Sequence, residues 1–128
     1  LEKKRNKWRK NMHELGIVFH VIKSVEQIAA ENKVNAVSAV TLEIGEVSGI
    51  VHSYILDCWR WAADRSEVMK GSELKIEEIH AVTHCEDCKC DYDTVAHGRT
   101  CPHCGSENTY LLVGNEINIK EIEVQEPA

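Results

Sequence analysis

The sequence predicts an α+β protein, a small three-stranded sheet with two helices plus an inserted four-cysteine zinc-ribbon module. Two patterns carry that prediction. Across residues 12–80 and 112–126, apolar side chains recur at helical spacing in two stretches and alternate with polar ones in three short ones. Residues 81–111 differ in character, with turn residues, few aliphatics and five of the six cysteines, four of them in two Cys-x-x-Cys pairs. The outer pieces are expected to form one α/β unit and the middle piece an insert.

The 128 residues suit one domain or a small domain carrying such an insert. The formal net charge of −6 is unevenly spread. Residues 1–10 hold six basic side chains (Lys3, Lys4, Arg5, Lys7, Arg9, Lys10) against Glu2 alone, leaving nine basic and twenty acidic groups beyond them, a net of −11. An acidic body disfavours non-specific nucleic-acid binding and is compatible with cation handling. The basic start followed by Leu15-Gly16-Ile17-Val18-Phe19 has the outline of a signal peptide, but Glu14, His20 and Lys23 interrupt it and the pattern runs on as an amphipathic one. No run approaches the roughly 18 apolar residues of a membrane span. With no export signal, paired Cys-x-x-Cys motifs read as metal ligands in a reducing cytoplasm rather than as a disulfide framework.

Residues 1–11 are polar apart from Leu1 and Trp8 and lack periodicity, so they read as a basic extension, an artefactual or upstream-started segment before Met12. From Leu15, apolar residues at 15, 18, 22, 25 and 29 draw one helical stripe, with Asn32 at its stop. Val40, Leu42 and Ile44 alternate with Thr41 and Glu43 as a half-buried strand. Ser53 is placed to cap a second helix whose inner face carries Ile55, Cys58, Trp59 and Ala62, and Gly71 ends that segment. Leu74 and Ile76 mark the second strand. Ile117 and Ile119, then Ile122 and Val124, mark the third, with a one-residue change of phase that a β-bulge would absorb.

The strongest chemical signal is Cys85-Glu86-Asp87-Cys88, twelve residues, then Cys101-Pro102-His103-Cys104-Gly105. Two such turns set four thiolates at the corners of a tetrahedron, the arrangement zinc favours. Four sulfurs close the shell and leave no position for water, so the zinc is expected to be structural. An insert of about 30 residues buries too little to fold alone, and the metal supplies the missing stability. Cys90 is an alternative to Cys88 in the ligand set, with Cys-x-x-Cys geometry favouring Cys88. Cys58 reads as a buried core thiol.

Of the histidines, His20, His52, His80, His84 and His103 have ordinary readings as surface or partly buried residues, with His84 and His103 close enough to cysteines to support them. Met12-His13-Glu14 is different if the chain begins at Met12. An α-amine, a backbone amide and an imidazole then ring a metal with nitrogens, a planar set that suits Ni(II) or Cu(II).

Met12-His13-Glu14-Leu15 opening an amphipathic helix resembles the start of the HypA/HybF hydrogenase nickel-incorporation family. Leu42-Glu43-Ile44-Gly45-Glu46-Val47-Ser48 resembles its first-strand signature, and Gly71-Ser72-Glu73-Leu74-Lys75-Ile76-Glu77-Glu78 its second strand. The two Cys-x-x-Cys pairs and Gly114-Asn115-Glu116 match as well, so the resemblance spans residues 12–126. It implies a cytoplasmic metallochaperone, not an enzyme, that carries Ni2+ to the apo large subunit of [NiFe]-hydrogenase, works with a HypB-type GTPase, and in some members also serves urease. It implies nickel ligation by His13 with main-chain nitrogens of Met12 and Glu14, a secondary nickel ligand at His97, and Zn2+ at Cys85, Cys88, Cys101 and Cys104. The eleven residues before Met12 depart from that pattern, because the family ligand set uses the α-amine of the initiating Met.

Two other classes compete. A nucleic-acid-binding zinc ribbon would need a basic knuckle, yet residues 85–104 hold only Lys89 and Arg99 against Glu86, Asp87, Asp91 and Asp93. A zinc hydrolase or thiol oxidoreductase would need an open metal position or reactive cysteines. No H-E-x-x-H, G-x-S-x-G or phosphate-cradling glycine loop is present.

Overall fold

The computed structural model describes residues 2–125, with side chains from His13 onward. Its contacts divide into two compact units, one of Leu1–Leu42, Ile50–Ile76 and Ile119–Ala128, the other of Glu43–Gly49 and Glu77–Asn118. The second takes in 43–49, 77–80 and 112–118 beyond the insert expected at 81–111.

The first unit opens with α1, Glu2–Glu31. The helix therefore starts well before Leu15, where apolar periodicity begins, and it includes the segment read as a non-periodic extension. Lys, Arg and Glu have good helix propensity, so a polar stretch continues a helix that its periodic part nucleates. Side chains of residues 1–12 lie outside the described ones. The buried stripe of α1 is Glu14, Val18, Val21, Ile22, Val25 and Ala29, with Leu15 only half-buried. The helix stops just before Asn32, as its sequence predicts. The Val34 amide donates to the Ala29 carbonyl at 2.8 Å and the Lys33 amide to Ala30 at 3.3 Å. Lys33 takes the left-handed conformation (φ 55) that closes such an end.

The stripe packs on α2, His52–Ala63, whose buried face is Ile55, Cys58, Trp59, Ala62 and Ala63. The cap of α2 is Val51, without a side-chain hydrogen bond, and Ser53 lies inside the first turn. The cap expected at Ser53 is therefore corrected. The acceptor comes from elsewhere in the unit, because Glu14 Oε1 takes the Val51 N–H at 3.4 Å. The Trp59 indole N–H donates to the carbonyl and hydroxyl of Ser72, both at 3.2 Å, which satisfies the one polar atom of the largest core side chain. Gly71, at φ +77, turns the chain into the second strand.

Three strands, β1 (Val37–Gly45), β2 (Glu73–Ile79) and β6 (Ile117–Val124), form a sheet in the order β2-β1-β6. The central strand β1 is buried at nearly every position, Thr41 included at 6% exposure. It is thus more deeply buried than the half-buried alternation predicted. Ile117, Ile119 and Ile122 are half-buried in β6, as expected, but Val124, expected on the same inner face as Ile122, is exposed at 47%.

The second unit carries another three-stranded antiparallel sheet, β4-β3-β5, from β3 (Val82–Cys85), β4 (Asp91–Asp93) and β5 (Thr109–Val113). A single turn of helix, α3 (Thr94–His97), follows β4. An apolar cluster of the unit is made of Cys85, Tyr92 and Cys101, with Cys88 packed against it. Gly114 and Gly45 allow a close backbone approach there. A Cβ on Gly45 would overlap the Gly114 carbonyl, and one on Gly114 (φ +119) would overlap Ala81.

Candidate metal centres

The four cysteines sit on two copies of one turn. In the first, the Cys85 amide donates to the Cys90 carbonyl and the Lys89 amide to the Cys85 carbonyl, both at 2.9 Å. In the second, the Cys101 amide donates to Ser106 and the Gly105 amide to Cys101, again both at 2.9 Å. The His103 amide donates to Cys101 Sγ at 3.4 Å. A polar strap ties the copies together. The Asp87 carboxylate accepts from the Ser106 hydroxyl and, at 3.2 Å, from the Asn108 side-chain amide. Those two hydrogen bonds hold the Asp87 carboxyl below its ordinary range. The Glu86 amide donates to the Asn108 carbonyl at 3.0 Å.

This scaffold brings Cys85, Cys88, Cys101 and Cys104 together, with all four sulfurs within 4.8 Å of one another. Cys85 and Cys104 Sγ are 3.6 Å apart, and Cys88 and Cys101 Sγ 3.5 Å. A tetrahedral ion with Zn–S bonds of about 2.3 Å requires S···S separations of about 3.8 Å, so the donor set fits a structural zinc. Cys90 stands outside the group, with its sulfur against the Cys88 carbonyl, and Cys58 is buried in the first unit, as expected.

The thiols do not titrate alike. Cys101 is pulled down to about 7: burial opposes its ionisation, but the backbone N–H groups of Cys104 and His103 and the neighbouring thiols of Cys88 and Cys104 favour its thiolate. Cys88 moves up, because the Cys90 N–H that favours its thiolate is outweighed by burial and the thiols of Cys101, Cys85 and Cys104. Cys104 also moves up: the Ser106 N–H, which favours its thiolate, is outweighed by the Cys85 thiol and burial. Four adjacent thiolates form together only when a cation offsets their repulsion.

The histidines near the ribbon take ordinary partners. His84 Nδ1 lies 2.6 Å from Asp91 Oδ1 and its ring tilts against Tyr110. His97, the last residue of α3, is exposed and meets the Tyr92 ring edge-on.

Met12, His13 and Glu14 lie inside α1. His13 is exposed, whereas the Glu14 side chain is buried at 3% exposure. The sequence reading assigned Glu14 a main-chain role only. Its position four residues before Val18, in line with the stripe at 18, 22, 25 and 29, was the available sign that its side chain turns inward. Glu14 Oε2 is buried with no hydrogen-bond partner among the described residues. Sequence reasoning also missed a second group of metal-ligating side chains, Glu46, His80 and Asp93, which folding brings together from three segments.

A protein family described as "Hydrogenase/urease nickel incorporation, metallochaperone, hypA" matches residues 12–124. The chain belongs to the HypA family. Hydrogenase maturation factor HypA of Geotalea uraniireducens (strain Rf4) is 37% identical over 114 residues, covering 89% of this chain and 100% of the relative. Hydrogenase maturation factor HybF of Klebsiella pneumoniae is 30% identical over 112 residues, 88% of this chain and 98% of its own. Among solved structures, the Ni metallochaperone HypA from Helicobacter pylori superposes with a TM-score of 0.67 at 25% identity, over 87% of this chain and 96% of that one. HypA proteins are nickel-incorporation and maturation factors. The four-cysteine cluster gives this member its structural zinc site, and none of its helices among the described residues is long and apolar enough to cross a membrane.

Proposed function

We infer that this chain is a nickel carrier that delivers Ni2+ to the apo large subunit of [NiFe]-hydrogenase, with a HypB-type GTPase as its partner and urease as a second target. It is a carrier rather than an enzyme, and it acts in the cytoplasm. The observation that carries the reading is where the family match opens, at Met12. The nickel set is the His13 imidazole with the main-chain nitrogens of Met12 and Glu14, and His97 is a secondary donor. Residues 12–80 with 112–126 are the nickel-binding domain and 81–111 the zinc-binding domain.

Helix physics sets the condition for this site. Inside a helix, the amides of His13 and Glu14 are committed to carbonyls four residues earlier. In a chain opening at Met12 the same amides fall in the first turn, where no intrahelical acceptor exists. They are then available to a metal along with the α-amine. Protons compete for all three nitrogens, so nickel affinity falls as pH falls.

The test is nickel titration of a chain opening at Met12, of the same chain with His13→Ala, and of the 128-residue chain. The expected order is tight binding in the first and at least tenfold weaker binding in the other two. Equal affinity in the first two removes His13 from the site.

A further inference from the structure

We propose that Glu46, His80 and Asp93 form a second, solvent-open site for a divalent first-row transition ion, separate from both the four cysteines and His13. One donor atom from each of the three lies within 4.8 Å of the others. His80 Nδ1 is 3.2 Å from Glu46 Oε1, and His80 Nε2 is 3.5 Å from Asp93 Oδ1. Two donors on adjacent positions around an ion, each about 2.1 Å from it, stand about 3.0–3.4 Å apart. The histidine–glutamate pair already meets that spacing. The imidazole binds through one nitrogen, and rotation of the exposed His80 ring, whose side chain is 62% exposed, closes the third donor onto the ion.

The backbone under the three side chains is held in place. The Glu46 amide donates to the Ile79 carbonyl at 2.8 Å. The Ala81 amide donates to Glu46 Oε1 at 3.0 Å. The Thr94 amide donates to the Ala81 carbonyl at 3.2 Å. All three hydrogen bonds converge on residues 79–81, and Ala81 itself is fully buried. Asp93 is further fixed as the cap of α3, its Oδ1 accepting from the Val95 amide at 3.3 Å. Ligand residues held by their backbone neighbours lose little freedom when an ion arrives.

One imidazole and two carboxylates make a borderline set for Ni2+, Co2+, Mn2+ or Zn2+ and a poor one for thiophilic ions. Three protein donors leave positions for water. The site is therefore open and fast-exchanging, unlike the closed sulfur cage in the same unit. The two carboxylates neutralise a dication, which a single exposed His–Asp pair does not.

Cobalt(II) is the probe, titrated into zinc-loaded protein carrying His13→Ala so that the proposed nickel set is absent. The expected result is one Co2+ per chain with a visible d–d spectrum typical of nitrogen and oxygen ligation. Adding His80→Ala removes the signal, and adding Asp93→Asn weakens binding at least tenfold. Asparagine keeps the cap of α3, so Asp93→Asn decides the matter if His80→Ala fails to fold. Unchanged cobalt binding in Asp93→Asn, or no binding in the His13→Ala parent, overturns the proposal and leaves an ion-paired histidine. Neither outcome bears on nickel binding at His13, which is read separately.

Discussion

Lys89 and Gly105 occupy equivalent positions, each one residue past the second cysteine of its pair, and both take a left-handed backbone, φ 62 and φ 75. Each donates its amide to the carbonyl of the first cysteine at 2.9 Å. Glycine adopts that conformation without strain, whereas a residue with a Cβ gives up on the order of 1 kcal/mol. Lys89 offsets little of this, because its pairing with Glu86 at 3.6 Å is exposed. Lys89→Gly is expected to stabilise the zinc-loaded protein by about 0.5 kcal/mol, the strain relief less the added freedom of the unfolded chain. Gly105→Ala is expected to lose about 1 kcal/mol. Denaturant midpoints of the two variants check both signs.

Cys90 is two residues from Cys88, and the sequence offers it as an alternative ligand while its Cys-x-x-Cys spacing favours Cys88. The structure puts Cys88 Sγ 3.5 Å from Cys101 Sγ and turns Cys90 to the Cys88 carbonyl. Cys90→Ser is therefore expected to keep one zinc per chain, and Cys88→Ser to lose it or hold it at least a hundredfold more weakly. Metal analysis after dialysis against a weak chelator separates the two.

Local pattern made most of these parts legible. The stripe at 18, 22, 25 and 29, the α2 face at 55, 58, 59 and 62, and the strands around Leu42, Leu74 and Ile119 all announce themselves by period. The four cysteines do so by spacing. What stayed hidden depends on tertiary partners. Ser53 has the chemistry of a cap, yet the Val51 amide is taken by Glu14, 37 residues away in sequence. A buried carboxylate in an apolar stripe reads as polar surface until its partner is known. The Glu46–His80–Asp93 group joins three separate segments, and no spacing rule links them.

The close backbone approach around Gly45 and Gly114 leads to a clear expectation. The Val47 amide donates to the Gly114 carbonyl at 2.9 Å, and the Gly45 amide to the Glu116 carbonyl at 2.8 Å. Gly114 also sits at φ +119, so Gly114→Ala adds both backbone strain and overlap with Ala81. Overpacking costs about 1–3 kcal/mol and an incompatible backbone adds to it, which gives an expected loss of about 3 kcal/mol. Gly105→Ala serves as the comparison, because it has a positive φ of 75 but nothing within 4 Å of the added carbon. It is expected to lose only the strain part, about 1 kcal/mol. Thermal or denaturant unfolding of the pair separates overlap from strain.

Zinc removal is expected to dissolve the ribbon and spare the first unit. An apolar cluster of the ribbon is made of Cys85, Tyr92 and Cys101 with Cys88, so three of its four members are ligands and the metal holds that cluster together. The first unit has its own core, in which Val18, Val25, Leu42, Ile55, Trp59 and Met69 are all at 2% exposure or less. With zinc bound, an alkylating reagent is expected to find Cys90 readily, while burial slows its access to Cys58 and raises that thiol further from ionisation, together with the charges of Glu14 and Asp57. After chelation, five thiols react quickly and Cys58 remains slow. Hydrogen exchange provides the second measurement. The amides of Lys89, Cys101 and Gly105 lose protection on chelation, while those of Val25 and Trp59 keep it. Loss of protection throughout the first unit at the same zinc threshold would show instead that the metal holds up both cores.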